Sequence, residues 1–266
     1  YLATAKTKPS ILLKGDTPRL IDEWQDAPML WDAVRTTVDD RQVPGQFILT
    51  GSNAVDKSQI HHSGAGRIAR LRMLPMSLWE SQESTGEVSL KELFNNPDYD
   101  IDGKMSKMTV EDLIFAASRG GWPASLLART PKAQLLVAKN YVQTICSDDV
   151  SGIDGKKRDA KLTSMILRAY ARNVSTLVKK KSLLDDVTSS GEVSCHGDTF
   201  DDYVAALEKL FVIQNISAWC PAIRSKTAIR SGVKRCFCDP SIPIALLGLS
   251  PEALSMQLKT FGFIFE

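Results

Sequence analysis

The stretch Leu20-Ile21-Asp22-Glu23-Trp24-Gln25 constrains this chain more than any other. A short apolar run stops at two adjacent carboxylates. Such a run reads as a buried strand of a parallel sheet, whose strands are covered on both faces and lack polar alternation. Ligands of open α/β sheets gather outside the carboxyl ends of the strands, so the acids fall where chemistry is done. By itself an apolar run ending in acid is common. A second run gives it weight: Gln46-Phe47-Ile48-Leu49 ends in Thr50-Gly51-Ser52. Between them Leu30, Trp31, Val34 and Val38 fall at helical spacing, which predicts one helix over Pro28 to Asp40. Strand, helix, strand over this length is a βαβ crossover, which brings both strand ends to one edge of a parallel sheet. Asp22, Glu23, Thr50 and Ser52 are therefore expected to share a crevice.

These residues, with Gly66-Arg67 and Pro75-Met76-Ser77-Leu78-Trp79-Glu80, resemble the bacterial and archaeal AAA-type P-loop ATPases that carry a C-terminal domain of unknown function. Gly120-Gly121-Trp122-Pro123 and Asp239-Pro240-Ser241 also resemble segments of that family, so the likeness covers nearly the whole chain. It implies a partial α/β P-loop ATPase core with a parallel sheet, over residues 1–82, and a helical lid over 83–150. It implies ATP and Mg²⁺ as ligands. Under it Asp22 is the Walker B acid that holds Mg²⁺, and Glu23 orients or deprotonates the attacking water. Thr50 or Ser52 senses the γ-phosphate. Arg67 either stabilises charge on the transferred phosphoryl group or is a surface arginine.

One departure matters. No Gly-x-x-x-x-Gly-Lys-Ser/Thr occurs in the 266 residues; Gly64-Ala65-Gly66 and Gly120-Gly121 do not fit its spacing. In the family that loop lies upstream of the Walker B strand. The sequence is accordingly read as an interior piece of a longer protein, and ATP hydrolysis is expected of the full-length protein, not of this piece.

The second half carries a different pattern. Asp148 to Asp159 is polar and reads as a linker, without the spacing of a calcium loop. Helical runs follow from Lys161, over about Leu177 to Val187, and over Phe200 to Leu210, the last capped by Asp198 or Thr199. Strands are expected at Phe211 to Ile216 and Arg235 to Cys238. Three helices and a hairpin make a mainly α winged helix-turn-helix plan over 151–248. Residues 249–266 read as the start of a further domain. DNA is a possible partner of such a plan, and residues 151–266 hold 16 Lys and Arg against 12 Asp and Glu. The third helix, however, offers Asp201, Asp202 and Glu208 against Lys209, a poor set for phosphates or base edges. The cations sit elsewhere, at Lys179-Lys180-Lys181 and at Arg224, Lys226, Arg230, Lys234 and Arg235. The competing reading of the chain is a DNA-binding or protein-interaction module with a degenerate ATPase half; a homo-oligomer or a protein client is the other expected kind of partner.

Further strands and helices are expected at Ile68 to Leu74 and Ser77 to Ser81. His61-His62, in the polar loop after Ser52, is read as solvated. Cys195-His196 with Cys236 and Cys238 is read as core rather than zinc, because the spacing of structural zinc sites is missing. Five cysteines, an odd number, point to a reducing cytoplasm rather than a disulfide framework. No apolar run approaches the ~20 residues of a membrane span.

Overall fold

The computed structural model describes residues 1–52, 62, 64–221 and 231–266. The chain divides into two compact units, Tyr1–Met73 with Lys209–Phe211, and Leu74–Glu208 with Val212–Glu266. Each is described by itself.

In the first unit, helix α1 (Leu2–Thr7) and a 3₁₀ turn at Pro9–Ile11 lead into strand β1 (Arg19–Ile21). A second 3₁₀ turn, Trp24–Asp26, leads into α2 (Met29–Arg41), and β2 (Phe47–Leu49) follows. The strands pair in parallel, with Arg19 opposite Phe47, Leu20 opposite Ile48 and Ile21 opposite Leu49. The expected crossover is present. Helix α2 buries Leu30, Trp31 and Val34 and ends where Gln42 turns left-handed. Ile21, Phe47 and Leu49 pack with Ala5, Leu13, Ala27, Leu30 and Val34 into one core. Side chains alternate along a strand, so Leu20 and Ile48 point the other way. They are 61% and 53% exposed. The expected cover on both faces is thus met on one face only.

The segment Ile68 to Leu74, expected as a strand, has irregular backbone. Its placement comes from side chains: Ile68 lies beside Gly64, and Arg70 stacks over Trp31 at 5.5 Å. His61 and most of the loop after Ser52 lie outside the described residues. His62 is exposed, and its carbonyl accepts a hydrogen bond from the Trp31 indole at 2.8 Å.

The second unit is mainly helical. Ser77 to Ser81, expected as a helix, is a single turn: the Glu80 carboxylate accepts from the Ser77 N–H and hydroxyl, both at 2.8 Å, and Gln82 then turns left-handed. The capping pattern is there without a helix to cap. Helices α3 (Leu90–Asn95), α4 (Val110–Arg119), α5 (Pro123–Leu127) and α6 (Pro131–Thr144) follow. A capping box joins Thr109 and Asp112 at the start of α4. The polar stretch from Asp148, expected as a linker, begins as helix. A π turn at Ile145–Asp149 continues α6 into α7 (Val150–Gly152) because Ile145 and Val150 are both buried.

Helices α8 (Ala160–Arg172), α9 (Lys180–Thr188) and α10 (Gly197–Lys209) come next. Helix α10 starts at Gly197, so Asp198 and Thr199 lie within its first turn rather than capping it. Strands β3 (Ile213–Ile216) and β4 (Lys234–Phe237) pair antiparallel, Ile213 opposite Phe237. The order of three helices and a strand pair is as read from the sequence. Arg224, Lys226 and Arg230 lie outside the described residues. Residues 249–266 form α12 (Pro251–Ser255) and α13 (Leu258–Phe265), after α11 (Ser241–Leu247). Leu254, Phe261 and Ile264 share a core with Ile114, Ala117 and Ile244. No described helix is long and apolar enough to cross a membrane.

Two polar locks hold this unit. Asp239 is buried, and one of its oxygens accepts from the Gly121 N–H at 2.9 Å. The other accepts from the Ser241 N–H at 2.8 Å and from its hydroxyl. The Trp122 indole donates to the Ser241 oxygen at 2.9 Å, and the Met76 N–H donates to the Gly121 carbonyl at 2.7 Å. Two segments read as familial in the sequence therefore meet at one buried carboxylate, and a third, through Met76, is tied to the glycine beside it. The second lock is Arg158. Its guanidinium donates to both oxygens of Asp154, to Asp202 and to the Val150 carbonyl.

Candidate functional site

The carboxyl ends of β1 and β2 carry the candidate site. The ladder continues past the strands: the Thr50 N–H donates to the Ile21 carbonyl at 3.0 Å, and the Trp24 N–H donates to the Thr50 carbonyl at 3.1 Å. Thr50 is thereby fixed across from the Asp22–Glu23 pair. The Thr50 hydroxyl donates to Asp22 Oδ1 at 2.5 Å. The Ser52 hydroxyl donates to Glu23 Oε2 at 3.2 Å. All four expected residues come together, each acid with one hydroxyl from the neighbouring strand end.

Glu23 has φ of 47°, in the left-handed region that non-glycine residues avoid. That twist ends the strand and starts the 3₁₀ turn, in which Trp24 is buried and stacks on Trp31 at 4.8 Å. The aromatic pair anchors the turn, while both carboxylates remain exposed. Beside them opens a cleft of about 720 Å³, with Leu2, Ile11, Leu20 and Leu30 on its apolar walls and Asp22 and Glu23 among its lining.

Gln25 was not singled out by the sequence reading, and the structure places it inside the site. Its amide nitrogen donates to Glu23 Oε2 and reaches the Ser52 hydroxyl at 3.3 Å. Its amide oxygen is buried and has no hydrogen-bond partner among the described residues. The available signal was its place two residues past Glu23, at the end of a short turn.

Arg67 is not brought to the acids. It pairs with Asp39 at 2.8 Å and is about half exposed. Asp39 lies ten residues beyond the start of α2, about 15 Å along the axis at 1.5 Å per residue. Helix α2 starts beside the acids and runs away from them, so Arg67 sits toward the far end of the crossover.

The donors at the strand ends are carboxylate and hydroxyl oxygens, the hard ligands that Mg²⁺ prefers. Mg²⁺ also keeps waters and substrate phosphates in its shell, so it needs only one or two protein carboxylates. The set fits that ion. Among the described residues no group of three or more His, Cys, Asp and Glu is arranged to hold a metal by itself.

The candidate nucleic-acid interface, α10, has its acids engaged. Asp201 pairs with Lys180 at 2.5 Å, and Asp202 with Lys156 at 2.7 Å and with Arg158. Glu208 accepts from the Asn215 amide. On β4, Lys234 pairs with Glu266, and Arg235 donates to Asn215 Oδ1 at 3.1 Å. These described cations are each tied to neighbouring side chains.

Comparison with known proteins finds two family models along the chain. The family model of an AAA domain matches residues 2–82. That of a domain of unknown function, DUF8612, matches residues 110–253. No curated protein matches the chain, and no solved structure does. The first unit thus carries an ATPase-like AAA domain, a nucleotide-binding kind, and the chain belongs to the DUF8612 family.

Proposed function

We propose that residues 2–82 supply the Mg²⁺- and water-handling side of an ATP-hydrolysing site. The observation that carries this reading is the pairing of Asp22 with Thr50 and of Glu23 with Ser52 across two parallel strand ends. Asp22, one step nearer the strand, would hold Mg²⁺ directly or through water. Bound there with nucleotide, the ion would supply neutralisation of the charge that develops on the phosphate oxygens. Glu23 would orient the attacking water and accept its proton. The Thr50 or Ser52 hydroxyl, held at the end of β2, would register the γ-phosphate. Arg67 at the far end of α2 has no part in this arrangement as it stands; any role for it needs a site other than that formed by Asp22 and Glu23.

The helices of 83–150 are read as a lid, and α8 to α10 with β3 and β4 as a winged-helix plan. The engaged acids of α10 favour docking over DNA reading. ATP turnover by the full-length gene product tests the assignment. Glu23→Gln should lower kcat by about 10²-fold or more, the scale of general-base catalysis, with nucleotide still bound. Asp22→Asn should raise the Mg²⁺ concentration needed for half-maximal turnover. Undiminished turnover in Glu23→Gln would remove Glu23 from the mechanism and with it this reading.

A further inference from the structure

The geometry points to Gln25 as the positioning residue of Glu23, an inference that rests on the function proposed above. A glutamate at a strand end has three rotatable side-chain bonds and an exposed carboxylate, so without partners it samples many rotamers. Here one of its oxygens, Oε2, is held by two neutral donors, the Gln25 amide and the Ser52 hydroxyl. The Gln25 amide also reaches that hydroxyl at 3.3 Å, which closes a three-membered network. The left-handed backbone at Glu23 aims its side chain, and the network fixes where the carboxylate ends.

Gln25 is itself held in place from the backbone. It belongs to the turn whose next-door Trp24 is buried against Trp31. Its amide lies over Gly51, where a Cβ would overlap the Gln25 oxygen. Gly51 is therefore the space that lets this amide lie flat between the two strand ends. The amide oxygen gives up a hydrogen bond in that position, being buried without a partner among the described residues. A solvated glutamine has no reason to accept that loss; one that fastens a carboxylate gains an ionic acceptor in exchange, and bonds to charged groups are the stronger kind. Under the proposed function the other Glu23 oxygen, Oε1, would be the one that meets the water.

The test is a double-variant cycle on ATP turnover by the full-length gene product. Gln25→Leu preserves bulk and removes the amide. It should lower kcat by about ten- to a hundred-fold, the scale of an ångström-sized misplacement, with KM for ATP unchanged. Gly51→Ala, which displaces the same amide without altering it, should lower kcat in the same sense. In a Glu23→Gln background Gln25→Leu should cost little more, because a residue acting through another is non-additive with it. If Glu23→Gln lowers kcat but Gln25→Leu multiplies its own loss onto it, or leaves kcat unchanged by itself, Gln25 is structural and the inference is overturned alone. If Glu23→Gln leaves kcat unchanged, both the site and the inference fall. Circular dichroism of each variant separates a loss of folding from a loss of positioning.

Discussion

Replacing Arg158 by Met removes the most densely bonded cation of the second unit while keeping much of its apolar stem. The side chain is only 2% exposed. It makes bonds to Asp154 at 2.7 and 2.8 Å, to Asp202 at 2.9 and 3.1 Å, and to the Val150 carbonyl at 2.7 Å. Removing one member of a fully buried pair costs roughly 3–5 kcal/mol. Here Asp154 and Asp202 are 20% and 36% exposed and regain water, and Asp202 keeps Lys156. With each remaining charge-assisted contact near 1 kcal/mol, the low end, about 3 kcal/mol, is the expected loss. For a unit of this size that lowers Tm by about 6–12 °C. The loss must depend on pH. The Arg158 hydrogen bonds hold the Asp154 carboxyl down at about 2, below its ordinary 3.8. A depressed acid contributes stability above its unfolded pKa and gives it up as pH falls through the folded value. The gap between wild type and Arg158→Met should therefore be full above pH 4 and narrow toward pH 2. Thermal melts followed by circular dichroism at pH 7, 4 and 2.5 measure it. A gap under about 1 kcal/mol at pH 7, or one that does not change with acid, would refute the idea that this cluster fastens the 150–159 segment to α10.

Three further outcomes follow from the same geometry. Gly121→Ala puts a Cβ against the Met76 backbone, 2.7 Å from its nitrogen, and should cost about 1–3 kcal/mol or more in urea unfolding, as overpacked sites do. Asp239→Asn keeps the shape but turns one acceptor into a donor facing donors, and should cost about 1–3 kcal/mol in the same assay. Burial pushes the Cys146 thiol up to about 11, so at pH 8 it should be alkylated on the order of 100-fold more slowly than an ordinary cysteine. Mapping the modified residues by mass spectrometry against time checks this, and denaturant should abolish the protection.

The crossover was legible because its signals are local. The short apolar runs Leu20-Ile21 and Phe47-Ile48-Leu49 and a helical stripe from Leu30 to Val38 leave few alternatives, and parallel register then sets Asp22 against Thr50. Gln25 was not legible, because its role depends on the left-handed turn at Glu23 and on the bare backbone of Gly51, and neither conformation is written in residue type. The strand expected at Ile68 to Leu74 failed for a related reason. Alternating Arg and apolar residues fit an extended chain, but cation–π stacking on Trp31 holds this one without a ladder. The polar stretch at Asp148 looked like a linker from composition; burial of Ile145 and Val150 carried the helix onward through a π turn. In the second unit, the capping of α4 by Thr109 and Asp112 was readable as a pattern, whereas the meeting of Gly121 with Asp239 spans 118 residues and leaves no local trace.

The convergence at Asp239 bears on where this domain can be cut. A fragment trimmed to residues 110–253 would keep the carboxylate and the glycine pair but discard Met76, whose amide seals the Gly121 carbonyl. It would also amputate Leu254, Phe261 and Ile264, leaving Ile114 and Ile244 facing water where a hydrophobic wall had stood. The compact unit is thus wider than the stretch its family shares, and the glycine that grips its keystone is itself tied to a stretch of chain covered by the AAA-domain match.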